Sequence, residues 1–330
     1  MRKRLVRSLF YVKDIFYQII GVINMPDFKK LSTTIYLAIL LFLIPSILYA
    51  VGGKGGYAGT YLRIGVGARP LGMGGAFTAL SDDATASYWN AAGLEQIKRP
   101  QFSCMYSLMS MDRTLNIATY AQPIGEIGTL GFGWLNYGVR DIDGRDISGN
   151  PTGSFSDSEN AFTISLGKDL SSILLVGGSF KFLYHKLASQ QATGYGFDVG
   201  VILKLGESIK IGGKIQDINS KIQWDTESKL EEEFPITTRF GISILPKEIP
   251  FIFSADVEKN SKQNNKYHVG AEYWFISSLA VRFGYNKRNF TAGVTVVIPI
   301  TSVDLQLDYA LAPDELNQWP VNRVSITAKF

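Results

Sequence analysis

The sequence predicts an all-β protein, a transmembrane antiparallel β-barrel of about fourteen strands. Three observations predict it. From about residue 100 onward the chain divides into segments of about ten residues that alternate apolar with polar or small side chains. The connections between these segments alternate long with short, as in membrane barrels, whose outer loops are long and inner turns short. An apolar run near the N-terminus reads as an export signal.

Composition narrows the classes first. Of 330 residues, 46% are hydrophobic, 12% aromatic and only 19% charged, so disorder is excluded. Gly is high, at 33 residues. Mean hydropathy is only +0.07, and Ile35–Ala50 is the one continuously apolar stretch, which argues against a polytopic helical membrane protein. The single cysteine, Cys104, excludes a disulfide scaffold. Two histidines, His185 and His268, leave little for a His-rich metal site, and no cofactor is expected. The formal charge of +4 belongs to the N-terminus. Residues 1–50 carry seven Lys/Arg and two Asp/Glu, a net of +5, which leaves −1 for the other 280. No nucleic-acid partner is therefore expected.

Residues 1–50 read as a signal peptide. Lys29 and Lys30 precede the apolar run, and small residues follow Ala50. Sixteen apolar residues are short for a spanning helix, which needs roughly 20. Met25 begins a complete signal by itself, so residues 1–24 read as an over-called start.

The barrel is assigned to residues 100–330. Its strands fall at about 101–109, 114–122, 127–137, 159–168, 172–186, 193–205, 208–217, 236–245, 250–258, 265–276, 279–287, 289–299, 302–311 and 321–330. In the last, Val324, Ile326, Ala328 and Phe330 share one face, and Arg323, Ser325, Thr327 and Lys329 the other. Fourteen is even, as single-chain bacterial barrels require. The segments 138–158, 218–235 and 312–320 are expected as long outer loops. Alternation alone equally suits a soluble sandwich or lipocalin-like barrel with its greasy face inward. Export, strand after strand without helices, and a C-terminal Phe330 favour the membrane. Gly131, Gly133, Gly177, Gly200, Gly212, Gly241, Gly270 and Gly284 lie within strands, on or near the lumen face. They suit either a filled interior or tight curvature. The lumen face mixes Asp256, Glu258, Glu272, Asp304 and Asp308 with Arg239, Arg282, Lys210, Lys214 and Lys329. That mixture fits salt bridges to a plug better than a charge-selective pore.

Residues 51–99 do not alternate. They contain Gly67-Ala68-Arg69, Gly72–Phe77, Asp82-Asp83 and Tyr88-Trp89-Asn90. Ala76–Leu80 and Asp82–Tyr88 are expected to form short helical turns, the second capped by Asp82 and Asp83. Without a Gly-Lys-Ser/Thr, the glycines do not make a phosphate loop. The run GARPLGMGGAFTALSDDATASYWNAAGL resembles the N-terminal plug of FadL-like outer-membrane barrels, especially their PorV/PorQ branch. Gln223–Thr226 before Phe234-Pro235, Arg282–Tyr285 and Asp308–Ala310 extend the resemblance over roughly 57–330. One departure is Ala91, where the family usually has Pro. The resemblance implies a bacterial outer-membrane protein with an N-terminal hatch, residues 51–99, folded into the lumen. It implies passage or binding of hydrophobic small molecules past that hatch. The alternative it offers is a type IX secretion component that binds secretion-system proteins or exported cargo. Outer-membrane lipid is the one partner both share.

Asp82, Asp83, Asn90, Gly93 and Leu94 are the candidate hatch and ligand positions, with a role in folding the plug equally open. No catalytic set of acid, base and nucleophile is visible, so no enzyme activity is expected. Asp141–Asp146 has acidic spacing suggestive of calcium but lacks a closing Glu. The acidic stretch from Trp224 to Glu233 reads as a solvated loop or a docking surface. Cys104 alternates with lipid-facing Phe102 and Tyr106 and reads as a small apolar residue.

Overall fold

The computed structural model describes residues 58–286, 289–314 and 317–330. The expected signal peptide, and residues 51–57 of the expected hatch, lie outside the described residues.

All fourteen expected strands form. They are β1 (Gln101–Leu108), β2 (Arg113–Pro123), β3 (Thr129–Arg145), β4 (Pro151–Ser171), β5 (Leu174–Leu187), β6 (Gln190–Leu205), β7 (Ile209–Trp224), β9 (Thr237–Ile244), β10 (Phe251–Asn260), β11 (Lys266–Ile276), β12 (Leu279–Asn286), β13 (Asn289–Ile300), β14 (Val303–Asp314) and β15 (Asn317–Lys329). A short extra strand, β8 (Glu231–Glu233), pairs only with the end of β7. Each wall strand pairs antiparallel with its sequence neighbour, β7 with β9, and β1 closes the ring on β15. Among the described residues every wall strand is paired on both sides, as a barrel in lipid requires.

The alternation has the hand of a membrane barrel. Phe162, Ile164 and Leu166 of β4, Phe180 and Phe182 of β5, and Tyr195, Phe197, Val199 and Val201 of β6 point outward and are exposed. They adjoin across strands, with Phe180 and Phe197 ring centroids 5.5 Å apart. Their neighbours in the opposite phase, among them Ser165, Ser179, Lys181 and Asp198, are buried inside. A soluble barrel does not tile its outside with contiguous aromatic and aliphatic side chains. The lipocalin-like alternative is thereby excluded, and the greasy wall faces lipid. Cys104 lies on that wall, in phase with exposed Phe102 and Tyr106.

The expected outer loops are largely paired. β3 and β4 continue as a hairpin to Arg145 and Pro151, and β14 and β15 run to Asp314 and Asn317. β7 extends to Trp224 and there gains β8. Beyond the lipid both faces of a hairpin are wet, so the ladder persists while the period-two signal vanishes. The run Asp141–Asp146 ends in a turn. Asp146 Oδ1 accepts hydrogen bonds from the N–H groups of Ser148 and Asn150, at 2.9 and 2.8 Å. That carboxylate is thus used as a turn cap.

The opposite end carries the short turns and the C-terminus. Arg99 gathers it by donating to the carbonyls of Phe330 (2.8 Å), Lys329 (3.0 Å) and Ser302 (2.9 Å) and pairing with Asp304 at 2.7 Å.

Residues 58–99 are enclosed by this ring. They form a 3₁₀ turn (Thr60–Arg63), α1 (Ala68–Gly72), α2 (Ala86–Trp89) and a second 3₁₀ turn (Ala91–Gln96). Two local expectations are corrected. Ala76–Leu80 is a non-helical turn, and the earlier helix is α1, in a stretch that reads as turn-rich. The N-cap of α2 is Thr85, not Asp82 or Asp83; Asp83 instead accepts from the Thr85 N–H at 2.9 Å, one step earlier. The apolar core lies here, inside the barrel. Leu62, Val66, Leu71, Met73, Phe77, Leu80 and Trp89 pack on Met105, Leu115 and Ile117 of the wall.

Candidate functional site

The wall admits this segment through its glycines. A Cβ on Gly131 would come within 2.8 Å of Leu94, and one on Gly212 within 2.6 Å of the Thr78 carbonyl. Gly200 lies against Asn90, Gly177 against Ala91, and Gly270 and Gly284 against Met73 and Gly74. Of the two readings the glycines allowed, a filled interior is what these approaches show. Gly167 of β4, 2.7 Å from the Ala91 carbonyl by the same measure, belongs with them but escapes a reading based on strand centres.

Polar contacts then hold the segment in place. Asp256 Oδ2 accepts from the N–H groups of Phe77 and Thr78, both at 3.0 Å. Arg69 grips Glu272 with two nitrogens, Nε at 2.9 Å and Nη2 at 3.1 Å. Arg282, fully buried on β12, donates to the same carboxylate at 2.5 Å and to Asp308 at 3.1 Å. The mixed lumen charges thus form a network shared by wall and segment. Tyr88, Trp89 and Asn90 each tie a different layer. Tyr88 donates to the Leu62 carbonyl (2.7 Å) and Trp89 to that of Val66 (2.9 Å). Asn90 Nδ2 reaches the carbonyls of Thr78 (2.8 Å) and Val201 (3.2 Å).

A cavity of about 390 Å³ lies between this segment and the long-hairpin end. Its size falls in the range of small-molecule sites, ~300–1,000 Å³. Ile64, Leu71, Gly75 and Trp89 form its floor, with Met109 and Tyr137 from the wall. Arg239 stands 5.1 Å over the Trp89 ring and pairs with Glu258. Glu258 also pairs with Lys266 at 3.1 Å, and Arg113 with Asp314 at 2.5 Å.

Of the expected site residues, none lines this cavity. Asp82 and Asp83 both pair with Arg69, Asp83 at 3.2 Å. Burial pushes the Asp83 carboxyl up from its ordinary range, against the pull of Arg69. Asn90 is fully buried against β6 and β7. Gly93 lies where a Cβ would fall on the Ser81 carbonyl, and Leu94 is buried with Ala84, Ala86, Ala91, Ile97 and Ala121. All five therefore sit where the segment meets itself or the wall.

No family model matches the chain, and no curated protein matches it. Solved structures do. A deletion mutant of the TodX monoaromatic hydrocarbon channel aligns over 80% of this chain and 97% of its own, with a TM-score of 0.58 at 13% identity. The CymD monoaromatic hydrocarbon channel covers 81% and 98%, with 0.55 at 13%. A Pseudomonas aeruginosa FadL homologue covers 85% and 99%, with 0.55 at 11%. The chain has the fold of a FadL-type channel. At this identity the likeness is one of fold, and the side chains of the cavity are this channel-fold protein's own.

The walls of this site are more legible in the sequence than its contents. His268 stands out there as a lumen residue, and it lines the cavity with Nδ1 2.8 Å from the Gly74 carbonyl. Gln263, in the turn between β10 and β11, and Lys266 and Asn286, at strand ends, line it too and carry no further signal. His185 lies on the hairpin side, with Nε2 2.6 Å from Asp157 and its ring 4.8 Å from that of Trp224. Asp157, Glu159 and His185 lie close enough together that they could hold a metal ion.

Proposed function

We propose that the protein is a channel of the bacterial outer membrane that admits a hydrophobic small molecule, with residues 51–99 as its hatch. The cavity carries the reading: it has an apolar floor made by the enclosed segment itself, at Leu71, Gly75 and Trp89. A molecule resting there could go no further without displacing that segment. Asp82, Asp83, Asn90, Gly93 and Leu94 then act as the latch that seats the hatch rather than as ligand contacts. The finer PorV/PorQ assignment, carried by Gly67–Arg69 and Tyr88–Asn90, is part of this proposal. A cavity of this size favours a small molecule over an exported protein as the passenger.

Uptake by reconstituted liposomes tests it. Protein-containing vesicles should take up a hydrophobic fluorescent tracer faster than empty ones. Leu71→Trp, which fills the cavity floor, should slow them. Uptake equal to that of empty vesicles would overturn the reading.

A further inference from the structure

We propose that one wall of this cavity is a subsite for the hydroxyl group of an otherwise apolar ligand, an alcohol or a phenol. The inference rests on the cavity being a ligand site, as argued above, and specifies the ligand's chemistry.

Four side chains on the β10–β12 side of the cavity hold buried polar atoms with no hydrogen-bond partner among the described residues: Glu258 Oε1, Gln263 Oε1, His268 Nε2 and Asn286 Oδ1. His268 is almost wholly buried, at 3% exposure. A buried polar atom without a partner costs about 1–3 kcal/mol, so a cluster of them inside a cavity marks a place for a ligand group. His268 faces Asn286 directly across β11 and β12. Glu258 Oε2 pairs with Arg239, while its Oε1 lies 3.1 Å from Lys266 Nζ in an ion pair that leaves the oxygen without a hydrogen bond. Its Oε2 lies 3.6 Å from His268 Nε2, beyond hydrogen-bond reach.

The unpartnered oxygens of Glu258, Gln263 and Asn286 are acceptors. The Gly74 carbonyl can only accept, so His268 Nδ1 donates to it. The ligand must therefore bring a donor. An ammonium would meet Arg239 and Lys266, both already ranged around Glu258. A carboxylate would bring a further acceptor and a charge like that of Glu258. A neutral hydroxyl gives its proton to an acceptor and suffers neither repulsion. Across the cavity, Leu71, Trp89 and Met109 accommodate the apolar remainder.

Calorimetry on the full chain in nanodiscs, with empty nanodiscs subtracted, tests this using 4-propylphenol, propylbenzene and 4-propylbenzoate. The phenol should bind about tenfold tighter than propylbenzene, the worth of one good hydrogen bond. The benzoate should bind no tighter than propylbenzene. Asn286→Leu should remove most of the phenol's advantage, read as the ratio of the phenol and propylbenzene affinities on that variant. Gln263→Leu should do the same, and it decides should Asn286→Leu fail to fold. Equal affinity for phenol and propylbenzene, or preference for the benzoate, would overturn the subsite alone. Failure of all three to bind would overturn the ligand cavity itself.

Discussion

Arg69 and Glu272 meet as a bidentate ion pair across 203 positions of sequence, Nε to Oε2 at 2.9 Å and Nη2 to Oε1 at 3.1 Å. The arginine belongs to the enclosed segment and the glutamate to β11. Arg282 shares the glutamate from the wall. Removing Glu272 leaves Arg69 with Asp82 and Asp83 and Arg282 with Asp308, whereas removing Arg69 takes the shared guanidinium from Asp82 and Asp83 and leaves only Glu272 with a partner in Arg282. Arg69→Gln should destabilise by about 3–5 kcal/mol, and Glu272→Gln by less. Denaturant midpoints of the two variants in one detergent check the order.

The glycine approaches make a second test. A methyl group on Gly200 would collide with Asn90, while on Gly178 the nearest atom is 3.8 Å away. Gly200→Ala should unseat the segment and open the bond after Arg63 to trypsin. Gly178→Ala should leave the digestion pattern unchanged.

Asp83 gives a pH dependence of defined sign. Burial raises its pKa above that of the unfolded chain. A raised folded-state pKa means protonation favours the fold. Its contribution is fully present below the unfolded value and is lost as pH rises through the raised one. Lowering the pH from 7 should thus stabilise the wild type relative to Asp83→Asn. At pH 7 the variant should be at least as stable, because the amide oxygen of the introduced asparagine can still accept from Thr85. Thermal melts of both proteins between pH 4 and 7 measure the difference.

Ala91 occupies the first position of its 3₁₀ turn, where an N–H has no partner within the turn and proline is favoured. Asn90 before it is extended, at φ −167° and ψ 106°, which a following proline accepts. Ala91→Pro should stabilise by about 0.4–1 kcal/mol through the unfolded state, read as a raised melting temperature.

The wall is legible in the sequence because each strand has one lipid face and one polar face, as in Ser325, Thr327 and Arg323 against Val324 and Ile326. Where that asymmetry stops, legibility stops: the hairpin from Arg140 to Pro151 is exposed on both sides and reads as loop. The enclosed segment has no period at all. Arg69 stands out as part of a motif, but its partner is fixed only by closure of the ring. The cavity residues His268 and Asn286 come together because strands β11 and β12 pair in one register, which no local pattern announces.

The proposed function requires the enclosed segment to move, and a cross-link tests that most directly. A Cβ on Gly72 of α1 would lie 3.6 Å from Ala310 Cβ of β14, within the span of a disulfide, ~3.5–4.5 Å. Gly72→Cys with Ala310→Cys, in a Cys104→Ser background, should lock α1 to the wall. Oxidised protein in liposomes should take up no tracer above the empty-vesicle rate, and a reductant should restore uptake. Equal uptake by fully cross-linked and reduced protein would contradict a moving hatch.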